Sequence, residues 1–176
     1  MAAEIEIRPL REDDDRRDFS CGQPDLDRFF QYYAGQNQFR FHISVTYVAA
    51  AGNRIVGFAT VAAGSILTDQ LPSARLKRSL PGYPLPVLRL ARLAVDRRVQ
   101  RAGVGAALMR HILHRALDQR NELGCIGVVT DAKPEAVSFY ERYDFVAING
   151  ILEGAMHASP IPMFLPIATV AASTMG

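Results

Sequence analysis

Cysteine is scarce and long apolar runs are absent in this chain of 176 residues, and both features limit what it can be. Only Cys21 and Cys125 are present, which excludes a disulfide framework and a cysteine metal site and favours a reducing compartment. We expect Cys21 to be a small buried hydrophobic residue rather than a nucleophile. No apolar run approaches the ~20 residues that span a bilayer, and the first residues do not resemble a signal peptide. A cytoplasmic protein without membrane contact is therefore expected.

The charges are nearly balanced but unevenly placed along the sequence. The net charge is only +2, yet acidic residues crowd the N-terminal third and arginines and lysines fill the middle. Such asymmetry suggests a polyanionic partner, and an ordinary solvated basic face explains it about equally well. Composition and length predict one globular domain over residues 1–166, followed by a loose C-terminal tail at 167–176.

Several segments have clear secondary-structure signals. Residues 43–50 and 54–63 are β-rich and are separated by Ala-Gly-Asn, which predicts a hairpin. Residues 11–17 are expected to form a polar surface helix, and residues 67–84, rich in proline, to form a loop with at most one or two helical turns. Further strands are predicted at 4–8, where Pro9 ends the strand, and at 125–130 and 162–165, and a helix from Pro134 onward.

Residues 87–114 form the most informative stretch, with the order strand, glycine-bearing loop, helix. The strand alternates apolar residues with arginine, and helical spacing of apolar residues begins near Gly103. Backbone N–H groups and the dipole at a helix N-terminus favour an anion, and Gly103 and Gly105 allow a ligand close to the backbone. A pyrophosphate site fits this pattern, but two glycines alone fit an ordinary tight turn at least as well.

Two common nucleotide-binding patterns do not fit this loop. A Walker loop ends in Gly-Lys-Ser/Thr, whereas Gly105 is followed by two alanines. The dinucleotide fingerprint requires glycine or alanine at the position of Leu108. It also requires an acidic residue about 20 positions further on, at the end of the next strand, and Asp131 comes too late to be that residue. Both the Walker loop and the dinucleotide fingerprint are therefore excluded for this segment.

Two motifs instead resemble those of the GNAT N-acetyltransferases. Residues 100–105, Gln-Arg-Ala-Gly-Val-Gly, follow a Leu-Ala-Val-Asp strand end and resemble the pyrophosphate loop of that family. Residues 136–145, Ala-Val-Ser-Phe-Tyr-Glu-Arg-Tyr-Asp-Phe, resemble its Ala-x-x-Phe-Tyr-x-x-x-Gly-Phe segment. The sequence departs from the family at Asp144, where glycine is usual, and at Lys133, where asparagine is common.

The resemblance implies an α+β fold of three layers, with a mixed, mostly antiparallel sheet, flanking helices and a splayed parallel strand pair that forms a slot for acetyl-CoA. It also implies that the backbone of Leu93, Ala94 and Val95 holds the pantetheine arm and the thioester carbonyl. The residues implied to contact the rest of this co-substrate are Gln100, Arg101, Ala102, Gly103, Val104, Gly105 and Ala106. No metal is expected, because His111 and His114 have no third ligand nearby.

Tyr140 is the expected catalytic residue. Amine attack on a thioester releases a thiolate, which a phenol with a pKa of about 10 can protonate. In the resembled family a tyrosine at this position has that role. The alternative for Tyr140 is that its side chain only packs on the helix, and for Tyr143 packing is the better interpretation. Asp96 and His42 are candidates for a general base. However, Asp96 is better interpreted as a turn residue and His42 as an exposed strand residue.

The N-terminal third of the sequence indicates which group of GNAT proteins the chain resembles. From Phe19, the sequence Phe-x-Cys-Gly-x-x-x-Leu-Asp-x-Phe predicts a helix that begins at Pro24, with an apolar face that includes Leu26 and Phe29. This segment is similar to the first helix of GNAT toxins from type II toxin–antitoxin systems, which acetylate the amino acid on a charged tRNA. The resemblance implies an aminoacyl-tRNA substrate, an antitoxin with a ribbon-helix-helix domain and a homodimer.

Four basic residues are expected to bind the tRNA, namely Arg75, Lys77, Arg78 and Arg92. A mobile connector is an equally good interpretation of the segment that carries the first three. Two other functions remain open: a GNAT enzyme that acts on a small amine or a protein N-terminus, and a non-catalytic binding module with the same fold. The module is the weaker alternative, because the glycine loop and Tyr140 are both intact.

Overall fold

The computed structural model describes residues 4–149 and 160–174. Its strands are β1 (Ile5–Pro9), β2 (Val45–Ala51), β3 (Arg54–Ile66), β4 (Leu85–Val95), β5 (Gly127–Ala132), β6 (Val146–Ala147) and β7 (Ile161–Pro166). Its helices are α1 (Pro24–Tyr32), α2 (Ala34–Phe39), α3 (Ala74–Ser79), α4 (Val104–Glu122), α5 (Val137–Glu141) and α6 (Ile167–Thr174), with 3-10 turns at Thr68–Gln70 and Pro134–Ala136.

The strands form a seven-stranded sheet in the order β1-β2-β3-β4-β5-β7-β6. The predicted hairpin is confirmed, since β2 and β3 are antiparallel and Ala51 opposes Arg54 across a turn in which Gly52 has a φ of 63°. Strands β4 and β5 are parallel, whereas β5 and β7 are antiparallel. The predicted mixed sheet with one parallel pair is therefore confirmed.

The chain divides into two compact units, one with Met1–Ala62 and Ala91–Ile112 and the other with Ala63–Leu90 and Leu113–Gly176. Strands β3 and β4 contribute residues to both. The single domain over residues 1–166 stays a prediction.

The core of the first unit is aromatic. Phe30 of α1 stacks on Phe58 of β3 with ring centroids 4.4 Å apart, and Phe19 meets both rings edge to face. Burial of one such side chain contributes about 1.5–3 kcal/mol. The apolar face predicted for α1 is confirmed, because Leu26, Phe29 and Phe30 are all buried.

The core of the second unit lies under the proline-rich segment. Its buried members are Ile66, Leu71, Leu85, Val87, Val129, Ile148 and Phe164. Leu76 of α3 and Leu80 pack against this cluster. Residues 67–84 were expected to form a loop with at most one or two helical turns, and they contain slightly more helix than that, a 3-10 turn at Thr68–Gln70 and the six-residue α3. Burial of these leucines holds α3 in place.

Two local expectations were wrong. Residues 11–17 form turns rather than a helix, because the Asp14 carboxylate accepts hydrogen bonds from the Arg8 side chain at 2.8 and 2.9 Å and from the Arg11 N–H at 2.8 Å. The expected loose tail contains helix α6, in which Val170 is fully buried and the Ile167 N–H donates to the Ile126 carbonyl at 2.9 Å.

Candidate active site

The predicted phosphate loop leads directly into the N-terminus of α4. The first helical hydrogen bond runs from the Ala107 N–H to the Gly103 carbonyl at 3.0 Å, so the N–H groups of Val104, Gly105 and Ala106 have no acceptor within the helix. Gly103 has a φ of 86°, and nothing lies within 4 Å of the position that a Cβ would occupy. The backbone here is open to a bulky anion, as a pyrophosphate site requires.

Gln100 links the end of β4 to the segment before α1. Its side-chain nitrogen donates to the carbonyls of Val95 and Cys21, both at 3.2 Å. Ala94, on the same strand end, is buried among the aromatic residues of the first core. The Gln100 side chain thus fixes the position of the loop, and contact of its backbone with a ligand stays a prediction, as it does for Leu93 and Ala94.

Asp96 is a locked turn residue. Its carboxylate is fully buried, accepts two hydrogen bonds from the Arg98 guanidinium at 2.9 Å and accepts a third from the Ser20 N–H at 3.3 Å. Hydrogen bonding to Arg98 lowers the pKa of Asp96 to about 2. A carboxylate this acidic is a poor general base, and the other candidate, His42, is an exposed residue with a φ of 56°.

Cys21 has the structural role expected for it. Burial, together with the nearby Asp27 carboxylate, raises the pKa of its thiol to about 12. The Cys21 N–H donates to that carboxylate at 2.8 Å, which fixes the turn before α1. The thiol is protonated at neutral pH and does not act as a nucleophile.

Tyr140 lies on α5 in the second unit and is almost fully buried. Its ring packs edge to face on Phe139 and Phe145 with centroids 5.3 and 5.4 Å away. Burial raises the pKa of its phenol, although a hydrogen bond with the Thr130 side chain opposes the shift. Thr130 donates to the Leu90 carbonyl at 2.9 Å. The phenol is therefore protonated and held beside the parallel strand pair.

Asp144 preserves the turn that glycine forms in the resembled family. Its φ is 70°, a left-handed conformation that aspartate tolerates better than most residues. The N–H of Phe145 reaches back to the Tyr140 carbonyl at 3.3 Å. Lys133, the other departure, precedes the 3-10 turn that leads into α5.

The basic residues predicted to bind tRNA fall into two groups. Arg75, Lys77 and Arg78 are exposed on α3 in the second unit, whereas Leu76 between them is partly buried. Arg92 belongs to the first unit, where its guanidinium carbon lies 3.7 Å from the centre of the Phe29 ring. A cation–π contact of this kind positions α1 on β4. Contact of these four residues with RNA stays a prediction.

Sequence reasoning missed two charged residues of the second unit, the half-buried Arg89 on β4 and the buried Asp131 on β5. Both carboxylate oxygens of Asp131 and Nε of Arg89 are shielded from solvent. The sequence signal for Asp131 is a charged residue at the end of an apolar strand. Over residues 4–149 and 160–174, no group of three or more His, Cys, Asp or Glu side chains could hold a metal ion, and no helix is long and apolar enough to cross a membrane.

Comparison with known proteins agrees with this geometry. A family model described as an acetyltransferase (GNAT) domain matches residues 20–163. The tRNA-acetylating toxin of Mycobacterium tuberculosis (strain ATCC 25618 / H37Rv) is 34% identical over 139 residues, which cover 78% of this chain and 82% of that protein.

Two solved structures show the same fold. AtaT complexed with acetyl-methionyl-tRNAfMet has a TM-score of 0.85 at 23% identity, covering 97% of this chain and 99% of that one. A tyrosine-to-phenylalanine mutant of AtaT, bound to the C-terminus of the antitoxin AtaR and acetyl-CoA, has a TM-score of 0.76 at 21% identity, covering 98% and 99%. The family match, the fold and the two motifs agree, and this chain belongs to the GNAT family of acetyltransferases.

Proposed function

We propose that this protein is an acetyl-CoA-dependent N-acetyltransferase toxin that acetylates the amino group of aminoacyl-tRNA and so blocks translation. The similarity to a tRNA-acetylating toxin over 78% of the chain carries the proposal. The fold shared with AtaT, whose structures contain acetyl-methionyl-tRNA, antitoxin and acetyl-CoA, supports it. A ribbon-helix-helix antitoxin, a homodimer and a cytoplasmic location belong to the same proposal.

In the first unit, the α4 N-terminus would hold the pyrophosphate of acetyl-CoA. The N–H groups of Val104, Gly105 and Ala106 point away from the helix and match phosphate oxygens in number and polarity. The open space at Gly103 allows those oxygens to approach, and Arg101 adds a positive charge beside them.

In the second unit, Tyr140 would supply a proton. As the amine nitrogen bonds to the acetyl carbon, the carbon–sulfur bond breaks and the sulfur takes the proton of the Tyr140 hydroxyl. The proton that the amine nitrogen loses passes to solvent, and solvent returns a proton to Tyr140. The raised pKa of Tyr140 keeps that proton in place at neutral pH until the thiolate forms. An α-amino group has a pKa near 8, so a neutral amine is available without strong activation.

The direct test is to incubate the protein with labelled acetyl-CoA and total charged tRNA. We expect label on the RNA that is lost on mild alkaline deacylation, with identification of the labelled tRNA giving the preferred amino acid. Unlabelled RNA together with intact acetyl-CoA binding would contradict the proposal and favour a small amine or a protein N-terminus.

The Tyr140→Phe variant is the matched catalytic control. Phenylalanine keeps the ring contacts with Phe139 and Phe145 but has no proton to donate, so the rate should fall by about 10²-fold or more. Expression of the parent should slow growth and this variant should not. The Tyr143→Phe variant should behave as the parent does, and equal loss in both variants would contradict the role of Tyr140.

A further inference from the structure

Residues 18–21, which we call the strap, lie shortly before α1 and are bonded to the turn that follows β4. The Arg97 N–H donates to the Ser20 carbonyl at 2.9 Å, and the Ser20 N–H donates to the Asp96 carboxylate at 3.3 Å. The Arg98 guanidinium donates to the carbonyl of the first strap residue at 3.1 Å. Three successive residues of the turn therefore hold the strap.

The strap is also fixed to α1. Phe19 is buried, and its ring meets the Phe30 ring edge to face with centroids 5.0 Å apart. The Cys21 N–H donates at 2.8 Å to the carboxylate of Asp27, which lies in the first turn of α1. The strap therefore joins α1 to the end of β4, and its position depends on both.

Gln100 connects the strap to the loop before α4. Its side-chain nitrogen carries two hydrogens and donates to the Cys21 and Val95 carbonyls, both at 3.2 Å. The next residue, Arg101, has a φ of 68°, and Gly103 has a φ of 86°. A left-handed conformation is unfavourable for arginine and persists only where neighbouring contacts hold it. The two hydrogen bonds of Gln100 are such contacts, because they fix the residue directly before Arg101.

We propose that the strap completes the acetyl-CoA site and that Gln100 is the positioning residue that links the two, a proposal that rests on the proposed function and its pyrophosphate site at the α4 N-terminus. Gln100 acts through the backbone of residues 101–103. It holds them in the conformation that leaves the first N–H groups of α4 open. Without the Gln100 bonds the loop has several conformations, and acetyl-CoA binds only the fraction with the right one.

The link acts in both directions, because coupling between two parts of a binding equilibrium is reciprocal. If a detached strap weakens acetyl-CoA binding, bound acetyl-CoA keeps the strap attached. The N–H groups of Ser20 and Cys21 both donate to carboxylates in the attached strap, and they exchange with solvent when it opens. The Phe-x-Cys-Gly sequence at residues 19–22 therefore contributes to co-substrate binding as well as to the start of α1.

The test compares Gln100→Met with Gln38→Met. Methionine has the length of glutamine but no donor, and Gln38 on α2 also bridges two backbone groups, the Leu10 carbonyl at 3.2 Å and the Thr46 N–H at 2.8 Å. Both variants lose hydrogen bonds of the first unit, so their loss of stability should be similar. Only Gln100→Met should raise the dissociation constant for acetyl-CoA, measured by calorimetry, by about tenfold. Equal affinity in the two variants would overturn the inference.

Two further readouts separate positioning from chemistry. At saturating acetyl-CoA the kcat of Gln100→Met for charged tRNA should stay within about twofold of the parent while the KM for acetyl-CoA rises, because the loop is fully formed once the co-substrate is bound. Gln100→Arg restores donors to the side chain, so it should recover most of the affinity and the slow exchange of the Ser20 and Cys21 N–H groups. A fall in kcat with an unchanged KM, or an arginine variant that behaves like the methionine variant, would overturn the inference.

If Gln100→Met does not fold, hydrogen exchange of the parent decides the question. Saturating acetyl-CoA should slow exchange in peptides that contain the strap by about tenfold or more, and should slow exchange in α2 by less than about twofold. Equal slowing in both would show stabilisation of the whole unit, and no slowing in the strap would show that it is independent of the site. Either result would overturn the inference.

These outcomes are distinct from those that test the proposed function. A parent that binds acetyl-CoA and labels charged tRNA, with Gln100→Met equal to Gln38→Met, contradicts only the role of the strap. A parent that binds acetyl-CoA but labels another amine contradicts the tRNA substrate, and the comparison of affinities still decides what Gln100 does. A parent that does not bind acetyl-CoA contradicts both.

Discussion

Two buried carboxylates, Asp96 and Asp131, lie in different parts of this protein. Asp96 accepts hydrogen bonds from the Ser20 N–H, which is distant in sequence, and from the Arg98 side chain, which is two residues away. These bonds fix the turn between β4 and the predicted phosphate loop. Asp131 is placed by β5 beside the residue that contacts Tyr140. Burial is common to both carboxylates, and the hydrogen bonds of Asp96 give it a structural role.

The contribution of Asp96 to stability should depend on pH. Its pKa is about 2 in the folded protein and 3.8 in its ordinary state, so the carboxylate stabilises the fold above about pH 4 by on the order of 1–2 kcal/mol. This contribution is lost as the pH falls toward 2. Urea unfolding of the parent and of Asp96→Asn should differ by this amount near neutral pH and converge in acid. A difference that does not depend on pH would contradict this account.

The two cysteines should not react while the protein is folded. Burial raises the pKa of Cys21 to about 12 and also raises that of Cys125, so neither is a thiolate at neutral pH. A thiol reagent such as Ellman's should label both only after denaturant is added. Rapid labelling of native Cys21 would show that the segment before α1 opens readily.

Among the elements, helix α4 packs on β3 and carries the proposed phosphate site at its N-terminus. Its N-terminus presents the open N–H groups, and Val104 and Leu108 pack against β3 so closely that a Cβ at Gly57 would lie 2.8 and 3.0 Å from their side chains. The helix cannot shift without disturbing that contact. The phosphate loop is thus attached to a rigid element.

A negative charge at the start of α4 should separate stability from binding. In Ala106→Glu the carboxylate suits the helix dipole, so the free energy of unfolding should stay the same or rise by a few tenths of a kcal/mol. The same charge repels a phosphate, and the dissociation constant for acetyl-CoA should rise about tenfold or more. The neutral Ala106→Gln is the matched control. Unchanged affinity in Ala106→Glu, measured by calorimetry, would place the phosphates elsewhere.

On the scale of the whole molecule, charge is distributed in a way that suits a polyanion. The formal net charge of +2 is small, but α3 displays Arg75, Lys77 and Arg78 on its exposed surface while Leu76 anchors the helix. Affinity for RNA depends on counterion release from such contacts, so it should be sensitive to salt.

Charge reversal on α3 tests this directly. The triple variant Arg75→Glu, Lys77→Glu and Arg78→Glu should bind charged tRNA more weakly and reduce the dependence of log K on log salt by about two to three. Acetyl-CoA affinity should not change. Arg120→Glu, at the exposed end of α4, is the control and should change tRNA binding little. An unaltered salt dependence in the triple variant would exclude α3 from the RNA surface.

Much of the fold followed from local patterns. The hairpin, α1 with its buried Phe29 and Phe30, the strand–loop–helix order around Gly103 and the last strand were all predicted where the structure has them. Each depends on spacing, glycine conformation or helix termini, which act over a few residues. The turns at 11–17 and helix α6 were missed, because the Arg8–Asp14 pair and the burial of Val170 depend on contacts that spacing does not reveal.

The sequence by itself determined the family and predicted the phosphate loop and the catalytic Tyr140, because each of these is encoded in a contiguous segment whose chemistry is local. Only the tertiary structure showed that Gln100 and Asp96 bind the segment before α1 and that Arg92 stacks on Phe29. These contacts join residues that are far apart in the chain, such as Gln100 and Cys21. Only the packing of strands and helices could bring them together.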